Sequence, residues 1–118
     1  MITGIVTEDG VPLIHVSVGD RLWPAVIDTG FNGWLELPDS CRDAVNPLFL
    51  GRIVSELAGG VKIEEDAFSV EFPIDGDSIE SEVTLVDSDA LLIGTALLAN
   101  HHLEIDFPTK SVRLERVD

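Results

Sequence analysis

Apolar and polar residues alternate along most of the chain, which is the pattern of β-strands that bury one face. A clear alternation covers residues 14–18, and the glycine and aspartate at 19–20 predict a hairpin turn before a return strand over residues 22–27. Pro24 lies within this return strand and has no backbone N–H to donate to a sheet. We therefore expect the strand to lie at a sheet edge, or its N–H side to face outward at this position.

The same pattern predicts strands over much of the remaining sequence. They cover residues 34–38, 53–57, 61–63, 68–72, 79–85, 91–93, 103–107 and 112–114. Two short helices are predicted between them, one capped by Asp39 and running through Val45, the other capped by Thr95 and covering residues 96–99. Strands at this spacing are typical of an all-β sandwich or closed barrel.

Length and composition narrow the class of protein. The chain has 118 residues, of which 45% are hydrophobic, so it fits one globular domain and is not a disordered chain. No apolar run is long enough to span a membrane, and the first residues lack the basic and apolar regions of a signal peptide. Cys41 is the one cysteine, which excludes an intrachain disulfide. We expect a single domain over residues 1–118, located in the cytoplasm.

The charge balance is strongly acidic. Twenty-two acidic residues against seven lysines and arginines give a formal net charge of −15. Nucleic acids and anionic membranes are bound by clustered basic residues, so we expect neither as a partner. The charge is compatible with neutral or basic partners.

The chemistry of the chain is concentrated where an apolar strand meets a polar turn. Residues 25–27 are apolar and lead directly into Asp28, Thr29 and Gly30, with Gly33 three residues further on. Burying a carboxylate is costly, so an acid at this position indicates a use for it. Thr29 can hydrogen-bond neighbouring main chain, and Gly30 permits a positive φ or a close backbone approach. The alternative is that Asp28 only caps local N–H groups of the turn.

Two further stretches complete a pattern. Residues 92–95 again run from apolar residues into a glycine turn, and residues 58–60 form a glycine-rich tip between two apolar runs. Together with residues 26–30, this arrangement resembles that of retropepsin-like aspartic proteases over roughly residues 11–107. The resemblance implies an all-β, closed barrel with one or two short helices. It also implies a flap hairpin at about residues 52–64, and the chain adds a C-terminal hairpin at about residues 103–117.

The resemblance implies an aspartic endopeptidase without a cofactor. Asp28 would be the catalytic acid, with Thr29 and Gly30 supporting the active-site loop. The flap residues Ala58, Gly59 and Gly60 would lie over a peptide or protein substrate. Because one loop supplies one carboxylate, the enzyme would be a homodimer in which two Asp28 residues meet at the two-fold axis. The alternative is a non-proteolytic β-barrel that binds a peptide or partner protein.

The sequence departs from the family pattern at Phe31, in having no tyrosine for the flap tyrosine of two-lobed pepsins, and in its C-terminal hairpin, and it offers no convincing metal site. Phe31 occupies a position where these enzymes usually carry alanine, serine or threonine, and the C-terminal hairpin extends beyond the point where a viral protease would end. Trp34 is expected in the core or in a pocket wall. The adjacent histidines at 101–102 lack metal-ligand spacing, and the acids of residues 75–80 lack the register of a calcium loop, so no metal is predicted.

Overall fold

The computed structural model describes residues 1–117 of the chain. In these residues the secondary structure is almost entirely β. The strands are β1 (Ile2–Val6), β2 (Pro12–Val18), β3 (Arg21–Ile27), β4 (Leu35–Pro38), β5 (Leu48–Glu56), β6 (Lys62–Ile74), β7 (Asp77–Val86), β8 (Leu91–Ile93), β9 (His101–Asp106) and β10 (Ser111–Arg116). A 3₁₀ turn (Asp39–Cys41) and a one-turn helix α1 (Arg42–Val45) follow β4.

The ten strands form one sheet in the order β5-β6-β7-β4-β8-β3-β2-β1-β10-β9 over the described residues. The sheet folds over on itself, because β2 contacts β6 although four strands lie between them. Its two end strands, β5 and β9, do not pair with each other among residues 1–117. The all-β class is as predicted, but the sheet is not closed, so the closed barrel is not confirmed.

The core is made by the inward faces of the alternating strands. Ile14, Val16 and Val18 of β2 are buried while the residues between them are exposed, as the period of two predicts. They join one cluster of buried side chains with residues from both halves of the sheet, including Leu37, Phe72 and Ile93. No helix among the described residues is long and apolar enough to span a membrane.

The edge-strand expectation for β3 is wrong. This strand lies inside the sheet between β2 and β8, and Pro24 is opposite His15 of β2. However, β8 begins its pairing at Ala25, so Pro24 lies just before the stretch of β3 that is paired on both sides. The missing N–H is tolerated because Pro24 has a strand on one side only.

Both helix predictions need correction. Asp39 does not cap a helix: the N-cap of the 3₁₀ turn is Pro38, and the Asp39 carboxylate instead accepts a hydrogen bond from Arg42. The helix does run through Val45 and ends with Asn46 in the left-handed region before Pro47. Residues 95–100 form successive hydrogen-bonded turns and no helix, with the Leu98 N–H donating to Thr95 O at 3.1 Å.

Candidate active site

Asp28 is positioned by the ends of two parallel strands at the centre of the sheet. β3 and β8 pair in parallel from Ala25 opposite Leu91 to Ile27 opposite Ile93. The Asp28 N–H extends this ladder by donating to the Ile93 carbonyl at 2.9 Å. The chain then leaves the sheet as the loop of residues 28–34 and returns as β4 on the other side of β8. The acid therefore stands where a rigid sheet ends and a loop begins.

The Asp28 side chain is held within its own turn. The Gly30 N–H donates to Asp28 Oδ1 at 2.9 Å, and the Phe31 N–H donates to the Asp28 carbonyl at 3.1 Å. Gly30 does not use a positive φ. A Cβ on Gly30 would lie 3.3 Å from Oδ1, tighter than an ordinary contact. Asp28 is half-buried, while Thr29 and Gly30 are exposed.

The two stretches with the same sequence pattern lie side by side. The loop of residues 28–34 is bound to residues 94–96 by three backbone hydrogen bonds beyond the one at Asp28. Gly94 N–H donates to Trp34 O at 3.0 Å, Thr95 N–H to Phe31 O at 2.9 Å, and Ala96 N–H to Gly33 O at 3.1 Å. The turn that replaces the predicted helix at residues 96–99 thus fixes the loop that carries the acid.

Two glycines allow this close contact. A Cβ on Gly94 would lie 2.1 Å from the Gly33 carbonyl oxygen and 2.7 Å from the Phe31 ring. A Cβ on Gly33 would lie 2.6 Å from the same ring. The Phe31 ring therefore packs against both glycines, and a side chain at either position would clash with it. Phe31 serves the packing of the two loops.

The β5–β6 hairpin carries the glycine-rich tip. β5 and β6 pair from Leu48 opposite Ser69 to Glu56 opposite Lys62, and the turn between them is closed by the Leu57 N–H donating to Val61 O at 2.7 Å. Gly59 and Gly60 both have positive φ, at 87° and 81°. Ala58 and both glycines are exposed. Only glycine adopts this conformation readily, which explains the two glycines at the tip.

A pocket of about 110 Å³ lies between the loop, β4, β7 and the β5–β6 hairpin. Its apolar lining includes Phe31, Trp34, Ile53 and Val83. Trp34 is thus part of a pocket wall, one of the two positions expected for it. Because the lining combines the loop that follows Asp28 with both strands of the hairpin, the pocket lies where these three parts of the molecule meet.

Three carboxylates also line the pocket: Glu36, Glu65 and Glu82. Glu36 and Glu65 are half-buried, and Glu82 is exposed. Burial raises the pKa of Glu36 above its usual range, and the negative charges of Glu65 and Asp28 raise it further. Glu36 pairs with Leu92 of β8, and the Asp28 N–H binds the carbonyl of the next residue, Ile93, so this carboxylate lies close to the start of the Asp28 loop.

The pocket carboxylates were not expected from the sequence, although one signal was present. Glu65 falls on the same strand face as Ile63 and Ala67, which are half-buried and buried, so its position in the alternation is an inward one. Glu36 stands between the buried Leu35 and Leu37, which makes it an ordinary outward residue of β4 in sequence terms. Its partial burial depends on the hairpin, whose placement no local pattern predicts.

The histidines lie away from this site. Among residues 1–117, no group of three or more histidine, cysteine or acidic side chains is placed to hold a metal ion. His101 has a buried Nδ1 without a hydrogen-bond partner in this part of the chain. Burial and the nearby Arg116 lower the pKa of His101, while Asp75 and Asp77 oppose this effect. The imidazole is therefore a neutral, packed group at the start of β9.

Comparison with known proteins gives similarity at the level of structure. No protein-family model matches the sequence, and no curated protein matches it. Among solved structures, a retropepsin-like aspartic protease from Rickettsia conorii superimposes with a TM-score of 0.66 at 16% identity, covering 98% of this chain and 89% of that one. The Simian foamy virus (mac) protease superimposes with a TM-score of 0.57 at 15% identity, covering 74% of this chain and 91% of that one.

A larger viral protein contains the same structure as one part. The foamy viral protease-reverse transcriptase superimposes with a TM-score of 0.61 at 18% identity over 80% of this chain, which spans only 13% of the viral protein. In the present chain the same architecture brings the loop of residues 28–34 against residues 93–96 and sets the β5–β6 hairpin beside them. The chain has the retropepsin-like fold of aspartic proteases.

Proposed function

We propose that the protein is an aspartic endopeptidase that works as a homodimer. The observation that carries the proposal is the placement of Asp28. The carboxylate is half-buried at the end of paired central strands and is oriented by the Gly30 N–H at 2.9 Å, and the loop that follows it lines a pocket bordered by a glycine-tipped hairpin. An acid that only capped its turn would not need this pocket.

A dimer is proposed because each chain brings a single acid to this place. The equivalent position on the second loop is occupied by Gly94, whose N–H binds Trp34 O. The Thr29 hydroxyl is exposed and has no hydrogen-bond partner among residues 1–117, so it is free to bind the loop of a second copy. A two-fold axis beside residues 28–30 brings two Asp28 side chains together, and the lack of a Cβ at Gly30 permits the approach.

The proposed chemistry needs only these two carboxylates and water. Neighbouring carboxylates do not ionise together, so the pair shares one proton, as is general for aspartic proteases. The ionised carboxylate takes a proton from a water molecule while the oxygen of that water attacks the peptide carbonyl carbon. The protonated carboxyl donates its proton to the carbonyl oxygen. In the second step the C–N bond breaks as the leaving nitrogen takes a proton from one carboxyl, and the other carboxylate takes a proton from a hydroxyl of the tetrahedral intermediate, so the pair again shares one proton. The products are a carboxylate and an amine.

The β5–β6 hairpin is proposed as the flap of this enzyme. Ala58, Gly59 and Gly60 form its exposed tip, and a glycine tip lets the backbone N–H and C=O groups approach an extended peptide closely. One edge of the hairpin is unpaired, because β5 is an end strand of the sheet. Such a segment opens at little cost in stability, as a flap must.

The test is cleavage of a diverse peptide library, with products identified by mass spectrometry. Wild-type protein should cleave, and Asp28→Asn should be inactive while keeping its fold and its sedimentation behaviour. Asp20→Asn, an exposed acid in the turn between β2 and β3, is the matched control and should keep full activity. Cleavage by the Asp28→Asn variant at the wild-type rate would exclude the proposed mechanism.

An inhibitor separates the enzyme from a binding module of the same fold. A statine-containing peptide places a hydroxyl where the attacking water would be, so it should block cleavage and favour the dimer in sedimentation. In a crystal of that complex, the two Asp28 carboxylates should both contact the statine hydroxyl. A monomer that binds peptides without cleaving them would support the non-proteolytic alternative.

A further inference from the structure

The pocket that the loop after Asp28 lines combines apolar side chains with carboxylates. Its apolar side chains could line any site for a hydrophobic residue, but two of its remaining residues, Glu36 and Glu65, are half-buried acids. Partly burying a carboxylate that has no partner costs free energy. These acids therefore need an explanation outside the packing of the chain.

The two faces of the β5–β6 hairpin show the difference. On one face Arg52 binds Glu64 at 3.4 Å and Asp66 at 3.2 Å, so both acids there have a cationic partner within the hairpin. Glu65 points to the other face, toward the pocket. No lysine or arginine lines the pocket, and neither Glu36 nor Glu65 has a hydrogen-bond or ion-pair partner in the described part of the chain.

We propose that this pocket is a specificity subsite that binds a lysine or arginine side chain of the substrate. The aliphatic stem would lie against Trp34, Ile53 and Val83, and the cationic end would meet Glu36 and Glu65, with Glu82 at the rim. Lysine and arginine bury their stems in this way while keeping the charge beside polar groups. The inference rests on the proposed function, because it takes the occupant to be a peptide substrate.

Electrostatics support the choice of a cation. Burial and the charges of Glu65 and Asp28 all disfavour the anionic form of Glu36, and a cation in the pocket would offset the repulsion between these charges. The whole chain carries a formal charge of −15, which attracts basic segments over a longer distance. An acidic side chain at the same subsite would meet three like charges and should be excluded.

The first experiment compares peptides that differ at one position. In a fluorogenic substrate found in the library, each position in turn carries lysine, arginine or methionine, which has an unbranched stem without a charge. One position should show kcat/KM about tenfold higher for the basic residues, on the scale of a charge-assisted hydrogen bond. Equal kcat/KM values at every position would overturn the proposal, while the cleavage itself would leave the endopeptidase assignment intact.

Variants connect the preference to the pocket. Glu36→Gln and Glu65→Gln keep the size of the side chain and remove its charge, and each should reduce the preference for lysine over methionine several-fold. Glu64→Gln is the matched control, since it removes the same charge from the opposite face of the same strand. A preference that survives in the Glu36→Gln/Glu65→Gln double variant would place the cation elsewhere and refute this pocket.

Binding supplies a readout that does not depend on turnover. The Asp28→Asn variant should bind the lysine peptide more tightly than the methionine peptide in calorimetry, and added salt should weaken that difference by screening. If wild-type protein cleaves nothing, the same lysine and methionine pair is made from a library peptide that binds without being cleaved, and a preference for lysine there would end the protease assignment and keep the cation pocket. Equal affinities for the lysine and methionine peptides would refute the cation pocket, whether or not wild-type protein cleaves them.

Discussion

Gly94 offers a sharp test of how the site is held together, because a single methyl group is predicted to separate the two loops. In Gly94→Ala the new Cβ would lie 2.1 Å from Gly33 O, about 1 Å inside an acceptable contact. The obstacle is backbone, so no side-chain rotation relieves it. Moving the loops apart by that distance breaks the hydrogen bonds from Gly94 N–H to Trp34 O and from Ala96 N–H to Gly33 O.

The magnitude follows from these contacts. Two lost hydrogen bonds amount to about 1–3 kcal/mol, and the strain of overpacking adds about 1–3 kcal/mol. We expect Gly94→Ala to reduce the free energy of unfolding by about 4 kcal/mol, the midpoint of these ranges. Gly10→Ala is the control: a Cβ there meets no atom within 4 Å, and only its positive φ of 84° is unfavourable. That should cost about 1–2 kcal/mol.

Phe31 makes the test more specific. A Cβ on Gly33 would meet mainly the Phe31 ring, which a smaller side chain would remove, whereas a Cβ on Gly94 would still meet Gly33 O. Phe31→Ala should therefore restore much of the unfolding free energy lost in Gly33→Ala, but not that lost in Gly94→Ala. Urea unfolding at one fixed protein concentration measures this as a double-mutant cycle, in which the Phe31 and Gly33 changes should be non-additive. If Gly94→Ala costs no more than Gly10→Ala, or if Phe31→Ala rescues both glycine variants equally, the packing described here is not what holds the loops.

Three further outcomes are expected. The pKa of Glu36 is raised in the folded chain. Between the usual glutamate pKa and this raised pKa, the native state binds more protons than the unfolded state, so the free energy of unfolding falls as pH rises through that range. Glu36→Gln should remove this part of the fall, and parallel pH–stability curves for the two proteins would contradict it. Two chains together carry twice −15, so activity per chain should drop on dilution and recover with salt; no change with either would contradict a salt-sensitive dimer. Cys41 is buried, and burial raises the pKa of its thiol, so Ellman's reagent should label it only as fast as the protein opens.

Strand positions could be predicted because burial repeats with a period of two. β2 shows this clearly, and the predicted turn at residues 19–20 falls where the structure has it. β1 was not identified, because its five residues include Gly4 and lack a regular apolar alternation. Gly4 is required there by a close approach to β2, since a Cβ on it would lie 2.1 Å from Leu13 O. That requirement comes from tertiary contact and leaves no local signal.

The predicted helix at residues 96–99 failed for a related reason. Alanine and leucine have good helix propensity, but four residues form too few helical hydrogen bonds for propensity alone to hold a helix. The structure has turns here instead, and Thr95 and Ala96 donate to Phe31 O and Gly33 O of the loop that carries the acid. These contacts come from tertiary structure and leave no local signal in the sequence.

The site was predictable in part. Asp28, Thr29 and Gly30 could be identified because their chemistry follows from the strand before them, whereas Glu36 and Glu65 could not. Glu65 has an inward position in the alternation of β6, but Glu36 looks like a solvent-facing residue of β4, and their common pocket forms only when β4 and the β5–β6 hairpin lie on either side of it. The pocket thus depends on which strand faces meet, and this depends on the order of strands in the sheet.

Residues 93–96 position the Asp28 loop, whereas Asp28 supplies the carboxylate, so the carboxylate can be tested separately from the position of the loop. The position of the Asp28 loop is determined by backbone hydrogen bonds to residues 93–96 and by the absence of a side chain at Gly94, and none of these contacts uses the carboxylate. The one bond that does, from the Gly30 N–H to Oδ1, can be accepted equally by the amide oxygen of asparagine. Asp28→Asn therefore removes the charge and the shared proton while the architecture keeps all its supports, so a loss of cleavage in this variant reports on chemistry and not on folding.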